Sequence, residues 1–142
     1  MTAPTSHWVE TFDGDGFARL LADKHYSRKS IGANLFCGPG EKLVLVTLNY
    51  DALFVWRLSR YRRDGQSGVE CTIFRNESKI QSSQLIREAV EIARERWPGE
   101  RLFTYVADAK VKSINPGCCF LKAGWRKCGK NKSGKLTILE LA

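Results

Sequence analysis

The chain has 142 residues, of which 43% are hydrophobic and 27% charged, and its formal net charge at pH 7 is +8. This length fits one globular domain with a single core, and this composition argues against disorder as the general state of the chain. The excess of positive charge favours association with polyanions such as DNA, RNA or a phosphorylated cofactor.

The positive charge is concentrated in two segments. One contains Arg57, Arg60, Arg62 and Arg63 with Tyr61, and the other contains Arg126, Lys127, Lys130, Lys132 and Lys135. Basic loops beside an aromatic residue are typical of surfaces that bind phosphates and stack on bases. Ordinary solvation of turns explains the same clusters equally well.

The cysteines and the hydropathy pattern bear on the compartment. The five cysteines are an odd number, with one adjacent pair and no C-x-x-C spacing, which argues against a disulfide framework and a zinc cage. The sequence has no apolar run of about 20 residues and no charged-then-apolar leader. We therefore expect a soluble, cytoplasmic protein with reduced thiols and no membrane partner.

The N-terminal part is predicted to begin with a mostly irregular entry over residues 1–11, which includes a short strand at 7–10. Asp13 or Asp15 is expected to cap a short helix that follows. The apolar residues of this helix that are expected to face inward are Phe17, Leu20 and Leu21.

A loop over residues 25–40 combines polar, titratable and aromatic groups, and loops of this composition are where binding chemistry tends to lie. Its candidate functional residues are His25, Tyr26, Ser27, Arg28 and Phe36. Because the unperturbed pKa of histidine lies near neutrality, His25 is suited to act as a general base. A lone histidine beside a helix end is more often structural.

Two near-continuous apolar strands are predicted at 43–48 and 52–58, joined by a tight turn at 49–51. Because neither strand alternates between apolar and polar residues, both are expected to be buried on both faces, as in a sheet covered by helices.

A third strand, at 69–75, leads through the polar loop 76–81 into a helix that begins at Ser82 or Ser83. One apolar stripe along this helix and the Pro98-Gly99 pair that ends it are typical of a helix packed on a sheet. The N–H groups and dipole at the start of the helix suit a phosphate or pyrophosphate. An ordinary connection with serine caps is the alternative.

A further buried strand over 102–107 ends at Asp108, close to Lys112. Asn115 opens a short helix that ends at Gly124, and segments 125–128 and 136–141 are predicted to pair as a last hairpin. The chain is thus expected to be a single domain, residues 1–142, in the order helix, three antiparallel strands, helix, strand, helix and hairpin.

This order, together with the N-P-G…F-x-x-A-G-W segment from Asn115 to Trp125, resembles the GNAT superfamily of acyl-CoA-dependent N-acyltransferases. The resemblance implies an α+β (α/β) fold with a mixed, mostly antiparallel twisted sheet flanked by helices. It also implies acetyl-CoA or a related acyl-CoA as cofactor, held where two parallel strands splay apart. The sequence departs from the superfamily in having no glycine between Arg75 and Ser83, and Phe120 where a tyrosine general acid often stands.

A more specific resemblance over the same span is to the phage Mom family. It rests on H-Y-S-R at 25–28, F-R-N-E at 74–77, the Ser82-Ser83 helix start, Asp108, and N-P-G at 115–117. The resemblance implies that the protein modifies the exocyclic N6 amine of adenine in double-stranded DNA. The added group is of the carbamoylmethyl or acyl type, and it protects phage DNA from restriction in the host cytoplasm.

The resemblance also implies roles for individual residues. The lone pair of an aromatic amine is delocalised, so a base must take its proton; His25, Tyr26 and Asp108 are the catalytic candidates. The candidates for cofactor binding are Arg75, Asn76, Ser82 and Ser83. The candidates for binding the DNA and its flipped adenine are Ser27, Arg28, Phe36, Lys112 and Asn115.

Each candidate also has a structural interpretation. Arg75 can pair with Glu77 or Glu70, Asp108 can cap the next turn, and Asn115 can begin a helix. The residue pattern itself predicts no metal site, and iron is implied by the resemblance alone.

Two other functions remain open at this point. One is a conventional acyl-CoA-dependent N-acetyltransferase for a protein or small-molecule amine. The other is a non-catalytic basic module that binds nucleic acid. The sequence leaves the oligomeric state open, and a homodimer is compatible with each of the three functions.

Overall fold

A computed structural model of the chain describes residues 6–24, 35, 37, 40–59, 64–107, 118–131 and 133–141. These residues form seven strands and three helices. In chain order the elements are β1 (Trp8–Thr11), α1 (Gly16–Asp23), β2 (Glu41–Thr47), β3 (Ala52–Leu58), β4 (Val69–Asn76), α2 (Ser82–Arg96), β5 (Leu102–Ala107), α3 (Cys118–Lys122), β6 (Arg126–Lys130) and β7 (Leu136–Leu141).

The seven strands form one sheet in the order β1-β2-β3-β4-β5-β7-β6. Each neighbouring pair is antiparallel except β4 and β5, which are parallel. The predicted α+β class and the mostly antiparallel mixed sheet are therefore confirmed. The entry 1–11, predicted to be mostly irregular, contributes the edge strand β1, so the short strand expected there is present.

Helices cover both faces of the sheet. On one face α2 packs on the strands, and the indole N–H groups of Trp8 and Trp56 donate to the α2 carbonyls of Leu85 and Ala89 at 2.8 and 3.1 Å. On the other face α1 packs on residues that include Val55 and Ile73. The apolar strands β2 and β3 are thus buried on both faces, as their lack of alternation predicts.

Helix α1 packs through smaller residues than predicted. Its buried stripe consists of Ala18, Leu21 and Ala22, whereas Phe17 and Leu20 are 67% and 54% exposed. The prediction for Phe17 and Leu20 was therefore wrong. The alanines let the helix axis lie close to the sheet, and Phe17 instead packs against Tyr50 with ring centroids 5.4 Å apart.

Helix α2 begins at Ser82, as predicted, and its apolar stripe is buried. The predicted serine cap is wrong, because the N-cap residue is Gln81 and no side chain caps the helix. The carbonyl oxygen of Gln81 accepts the first helical hydrogen bonds, from the N–H groups of Gln84 and Leu85. None of the helices within the described ranges is long and apolar enough to cross a membrane.

The parallel contact between β4 and β5 is short. The two strands pair at three positions only, ending at Cys71 and Thr104, and the Thr104 hydroxyl donates to the Cys71 carbonyl at 2.8 Å. Beyond this point β4 stays paired with β3 as far as Asn76, and β5 stays paired with β7 as far as Ala107. The carboxyl-terminal halves of β4 and β5 are therefore neighbours in the sheet order that do not pair with each other.

A bulge in β4 marks the same point. Val55 and Trp56 of β3 pair with Ile73 and Cys71, so Thr72 is an extra residue without a partner in β3. An extra residue changes the alternation of side chains along a strand. It therefore decides which side chains of β4 face α1 and which face α2.

Asp15 joins three parts of the α1 side. As N-cap of α1 its carboxylate accepts from the N–H groups of Phe17 and Ala18, and it also accepts from the hydroxyls of Thr11 and Tyr50. Burial raises the pKa of this carboxyl, but the hydrogen bonds outweigh burial and lower it below its ordinary value of 3.8. The folded state therefore stabilises the charged form of Asp15.

We predict that Asp15→Ala lowers the free energy of unfolding at pH 7 by about 1–2 kcal/mol, the usual cost of losing an N-cap. Asp15→Asn keeps a capping oxygen and loses less. Because the folded pKa is depressed, the advantage of wild type over Asp15→Asn is constant above pH 3.8 and shrinks as the pH falls through the lowered pKa. Urea denaturation of the three proteins between pH 3 and pH 7 measures this, and a pH-independent difference would contradict it.

Candidate functional site

The structure describes four of the predicted site residues, namely Arg75 and Asn76 at the end of β4 and Ser82 and Ser83 at the start of α2. The other eight lie outside the described residues: His25, Tyr26, Ser27, Arg28, Phe36, Asp108, Lys112 and Asn115. The described part of the candidate site thus consists of the carboxyl end of β4, the loop after it and the first turn of α2.

Arg75 belongs to an ion-pair cluster centred on Glu77. Its Nε lies 2.8 Å from the Glu77 carboxylate, and the Lys24 ammonium lies 3.1 Å from the same oxygen. The hydrogen bond from Arg75 and then that from Lys24 lower the pKa of Glu77 below its ordinary value. One carboxylate thus holds two cations and leaves the cluster with a net positive charge.

The predicted alternative for Arg75, pairing with Glu77, is confirmed. Glu70 pairs with Arg57 at 3.5 Å instead. The Arg75 side chain is 39% exposed, and within the described part of the chain its two Nη groups donate to no acceptor. Half of the guanidinium fork is therefore available for an anion such as a phosphate.

Lys24 brings the end of α1 to this cluster. It is the C-cap residue of α1, and it immediately precedes His25 in the sequence. The pairing of Lys24 with Glu77 spans 53 positions of the chain. The chain therefore enters the H-Y-S-R segment from a point beside Arg75.

Asn76 organises the loop between β4 and α2. Its Nδ2 donates to the Ile80 carbonyl at 2.7 Å and to the Ser82 hydroxyl oxygen at 3.0 Å, while its Oδ1 accepts from the N–H and hydroxyl of Ser78. An asparagine amide has two donors and two acceptor sites, and all four are used here. Asn76 therefore holds the loop in place, and its effect on a ligand would pass through the loop.

The first turn of α2 presents backbone N–H donors that no side chain caps. Within the described residues, the N–H groups of Ser82 and Ser83 have no acceptor, and the turn contains no acidic side chain. Because Ser82 accepts a hydrogen bond from Asn76, its own hydroxyl hydrogen points elsewhere. The positive end of the helix dipole adds to these donors.

The four predicted residues form two sets on opposite faces of the sheet. Ile73 packs on the α1 face and Phe74 packs against the aromatic cluster on the α2 face. Side chains alternate along a strand, so Arg75 lies on the α1 face and Asn76 on the α2 face. The cations Lys24 and Arg75 are thus separated by β4 from the donors of Ser82 and Ser83.

Phe120, where the resemblance expects a tyrosine, belongs to the aromatic cluster on the α2 face. It is buried, and its ring contacts Phe74 and Trp125 with centroid distances of 5.9 and 4.9 Å. Trp125 in turn stacks on Trp56. A phenol there would place a hydroxyl among aromatic rings, where burial without a hydrogen bond is costly.

Sequence reasoning missed Lys24 as a member of the site and treated Glu77 only as a structural partner of Arg75. Glu77 stands in the F-R-N-E motif and Lys24 adjoins H-Y-S-R, so the motifs gave a signal for both. Nothing in the local pattern indicates that they meet, because their contact depends on the packing of α1 beside β4.

The described residues contain no group of three or more His, Cys, Asp or Glu side chains close enough to hold a metal ion. His25, Tyr26 and Asp108, for which the resemblance implies iron, lie outside that part of the chain. Comparison of the sequence with protein-family models finds no matching family, and comparison with curated proteins finds no matching protein.

We predict that Asn76→Ala lowers the free energy of unfolding by about 2 kcal/mol, because several partly buried hydrogen bonds are lost together. Asn49→Ala is the matched control, since Asn49 lies in the exposed turn between β2 and β3 and its side chain bonds to no described residue. Urea denaturation measures both. Equal losses in the two variants would contradict the role assigned to Asn76.

Proposed function

We propose that this protein is a DNA-modifying transferase that acts on the exocyclic N6 amine of adenine in double-stranded DNA. The observation that carries the proposal is the separation of β4 from β5 after Cys71 and Thr104, with donors of α2 on one face and cations on the other. Two reactants can approach such a gap from opposite faces of the sheet. The resemblance of its short motifs to those of the Mom family supports the choice of substrate.

The gap suits a transfer reaction for a physical reason. Backbone groups of β4 beyond Cys71 that point toward β5 have no ladder partner in that strand. Unpaired backbone groups of a sheet bind extended molecules well, because their hydrogen bonds are already oriented. An acyl-CoA would supply an activated carbonyl there, and the N–H groups of Ser82 and Ser83 would hold its pyrophosphate.

The acceptor would then bind on the α1 face. There the free part of the Arg75 guanidinium would hold a DNA phosphate, and His25, which follows Lys24 directly, would take the proton of the adenine amine. The amine nitrogen would form a bond to the acyl carbonyl carbon while the thioester C–S bond breaks, and CoA would leave as the thiol with that proton. Tyr26 and Phe36 would stack on the extruded base, and Asp108 would orient the imidazole. Ser27, Arg28, Lys112 and Asn115 are the further DNA contacts of this proposal.

A conventional N-acyltransferase is the second candidate. The same gap and the same first turn of α2 support it, because neither feature depends on DNA. It would act on a protein or small-molecule amine. The net charge of +8 favours the DNA substrate over an amine, since an amine is itself a cation at neutral pH.

We predict that nucleoside mass spectrometry of DNA from cells expressing the protein shows a modified adenosine, and that His25→Ala removes it. Arg75→Gln should lower the yield about 10- to 100-fold, the range expected for losing a hydrogen bond to a charged group. Arg94→Gln removes the same charge from the exposed side of α2 and should leave the yield unchanged.

Three other outcomes would decide against this function. Unmodified DNA from cells that contain folded protein would end the proposal. Acetyl-CoA turnover with an amine and without DNA would establish the second candidate. Salt-sensitive DNA binding without product, unchanged in His25→Ala/Asp108→Ala, would identify a binding module.

A further inference from the structure

The β6–β7 hairpin forms one edge of the sheet, and β6 is the outermost strand. All five residues of β6 are exposed, in contrast to the buried middle of β7. From Arg126 to Leu139 the sequence contains five basic residues and no acidic one. This edge is therefore both the most exposed and the most positively charged segment of the described sheet.

The negative charge of the hairpin is confined to its base. Glu140 is the residue opposite Arg126, and its carboxylate binds both Arg126 and Arg101. These two arginines lower the pKa of Glu140, the hydrogen bond from Arg101 having the larger effect. Lys127, beside this base, and Lys135, at the tip, have no carboxylate partner within the described residues.

A bulge determines where the lysines of β6 point. Lys127 lies opposite Leu139 and Lys130 lies opposite Thr137, while Cys128 is the extra residue between them. Leu139 and Thr137 share a face of β7, so Lys127 and Lys130 share that face too. Without the bulge, residues three apart in a strand would point to opposite faces.

This shared face is the face on which α2 packs, because Leu139 belongs to the core cluster under α2. Lys127 and Lys130 are two ladder steps apart, about 7 Å along the strand. Successive phosphates of one DNA strand rise about 3.4 Å along the helix axis. Because a DNA strand winds around this axis, consecutive phosphates lie farther apart than the axial rise, and two flexible lysines at this spacing can reach neighbouring phosphates of one strand.

The tip of the hairpin lies at the same end of the sheet as the candidate site, meaning the end at which β4 and β5 finish. Leu136, the first residue of β7, pairs with Ala107, the last residue of β5. Because β4 and β5 are parallel, their carboxyl ends and the start of α2 lie at this end as well. Lys127 and Lys130 therefore lie on the α2 face, like the first turn of α2, and across the sheet from Arg75.

We propose that the β6–β7 hairpin binds the phosphate backbone of double-stranded DNA through Lys127, Lys130 and Lys135, where the duplex passes the outer edge of the sheet, away from the target adenine on the α1 face. The proposal deepens the proposed function and rests on it for the choice of DNA. Two strands, β5 and β7, separate β6 from the gap, so the contacts of its lysines position the duplex and take no part in the chemistry.

Basic residues on an edge strand have another known use. Lysines there prevent edge-to-edge pairing between sheets, and this protection needs no ligand. It would place lysines on either face of β6, whereas phosphate binding requires them on one face. If the lysines protect the edge, their substitution should change self-association. If they bind phosphates, it should change the affinity for DNA.

The test compares Lys127→Gln/Lys130→Gln with Arg94→Gln/Arg96→Gln, which removes the same charge near the C-terminal end of α2, at the opposite end of the sheet. Fluorescence anisotropy measures the affinity for a 20-base-pair DNA duplex at several salt concentrations. Each lost phosphate contact lowers the slope of log K against log salt by about 1, so the hairpin variant should lower it by about 2. The control variant should keep the wild-type slope.

Several results would overturn the hairpin proposal. These are equal slopes for the two variants, no binding of the duplex by the wild type, tighter binding of an RNA duplex, or self-association as the sole effect of the hairpin substitutions. In the modification assay the hairpin variant should raise KM for DNA and keep kcat. If product forms and KM is unchanged, the hairpin proposal is wrong and the proposed function stands. If DNA binding depends on the hairpin but no product forms, the hairpin proposal stands and the proposed function is wrong.

Discussion

The short parallel contact between β4 and β5 is the constraint on which the rest of the structure depends. It is secured by three residue pairs and by the hydrogen bond from Thr104 to the Cys71 carbonyl. Each strand has its other edge fully occupied, β4 by β3 and β5 by β7, so the separation costs little sheet pairing. A sheet of this size can open in its middle only because both halves are stable ladders in themselves.

The aromatic residues explain how the opened sheet keeps its shape. Phe54, Trp56, Phe74, Phe120 and Trp125 contact one another in a continuous chain on the α2 face. This chain joins β3 and β4 to α3 and to the segment that leads into β6. Packing across the cluster therefore strengthens the connection between the two halves, which backbone pairing joins at three positions only.

The order of elements was predictable from the sequence because it is written in short-range patterns. The stripe of Leu85, Ile86 and Ala89 defined α2, and the apolar runs of β2 and β3 defined buried strands. The arrangement around Arg75 was less accessible. The extra residue Thr72 and the contact between Lys24 and Glu77 depend on packing between distant segments, which no local periodicity encodes. For the same reason Phe17 and Leu20 were wrongly predicted to face inward together with Leu21, whereas the residues that pack on the sheet are Ala18, Leu21 and Ala22.

The two bulges have a consequence for how such a chain tolerates change. Thr72 and Cys128 each add one residue to a strand, and everything after them is set out of phase with what came before. Replacing either residue would preserve this phase, but deleting it would exchange the inward and outward sides of the remaining strand. Substitutions at these two positions should therefore be tolerated, whereas the deletion of either residue should disrupt the strand.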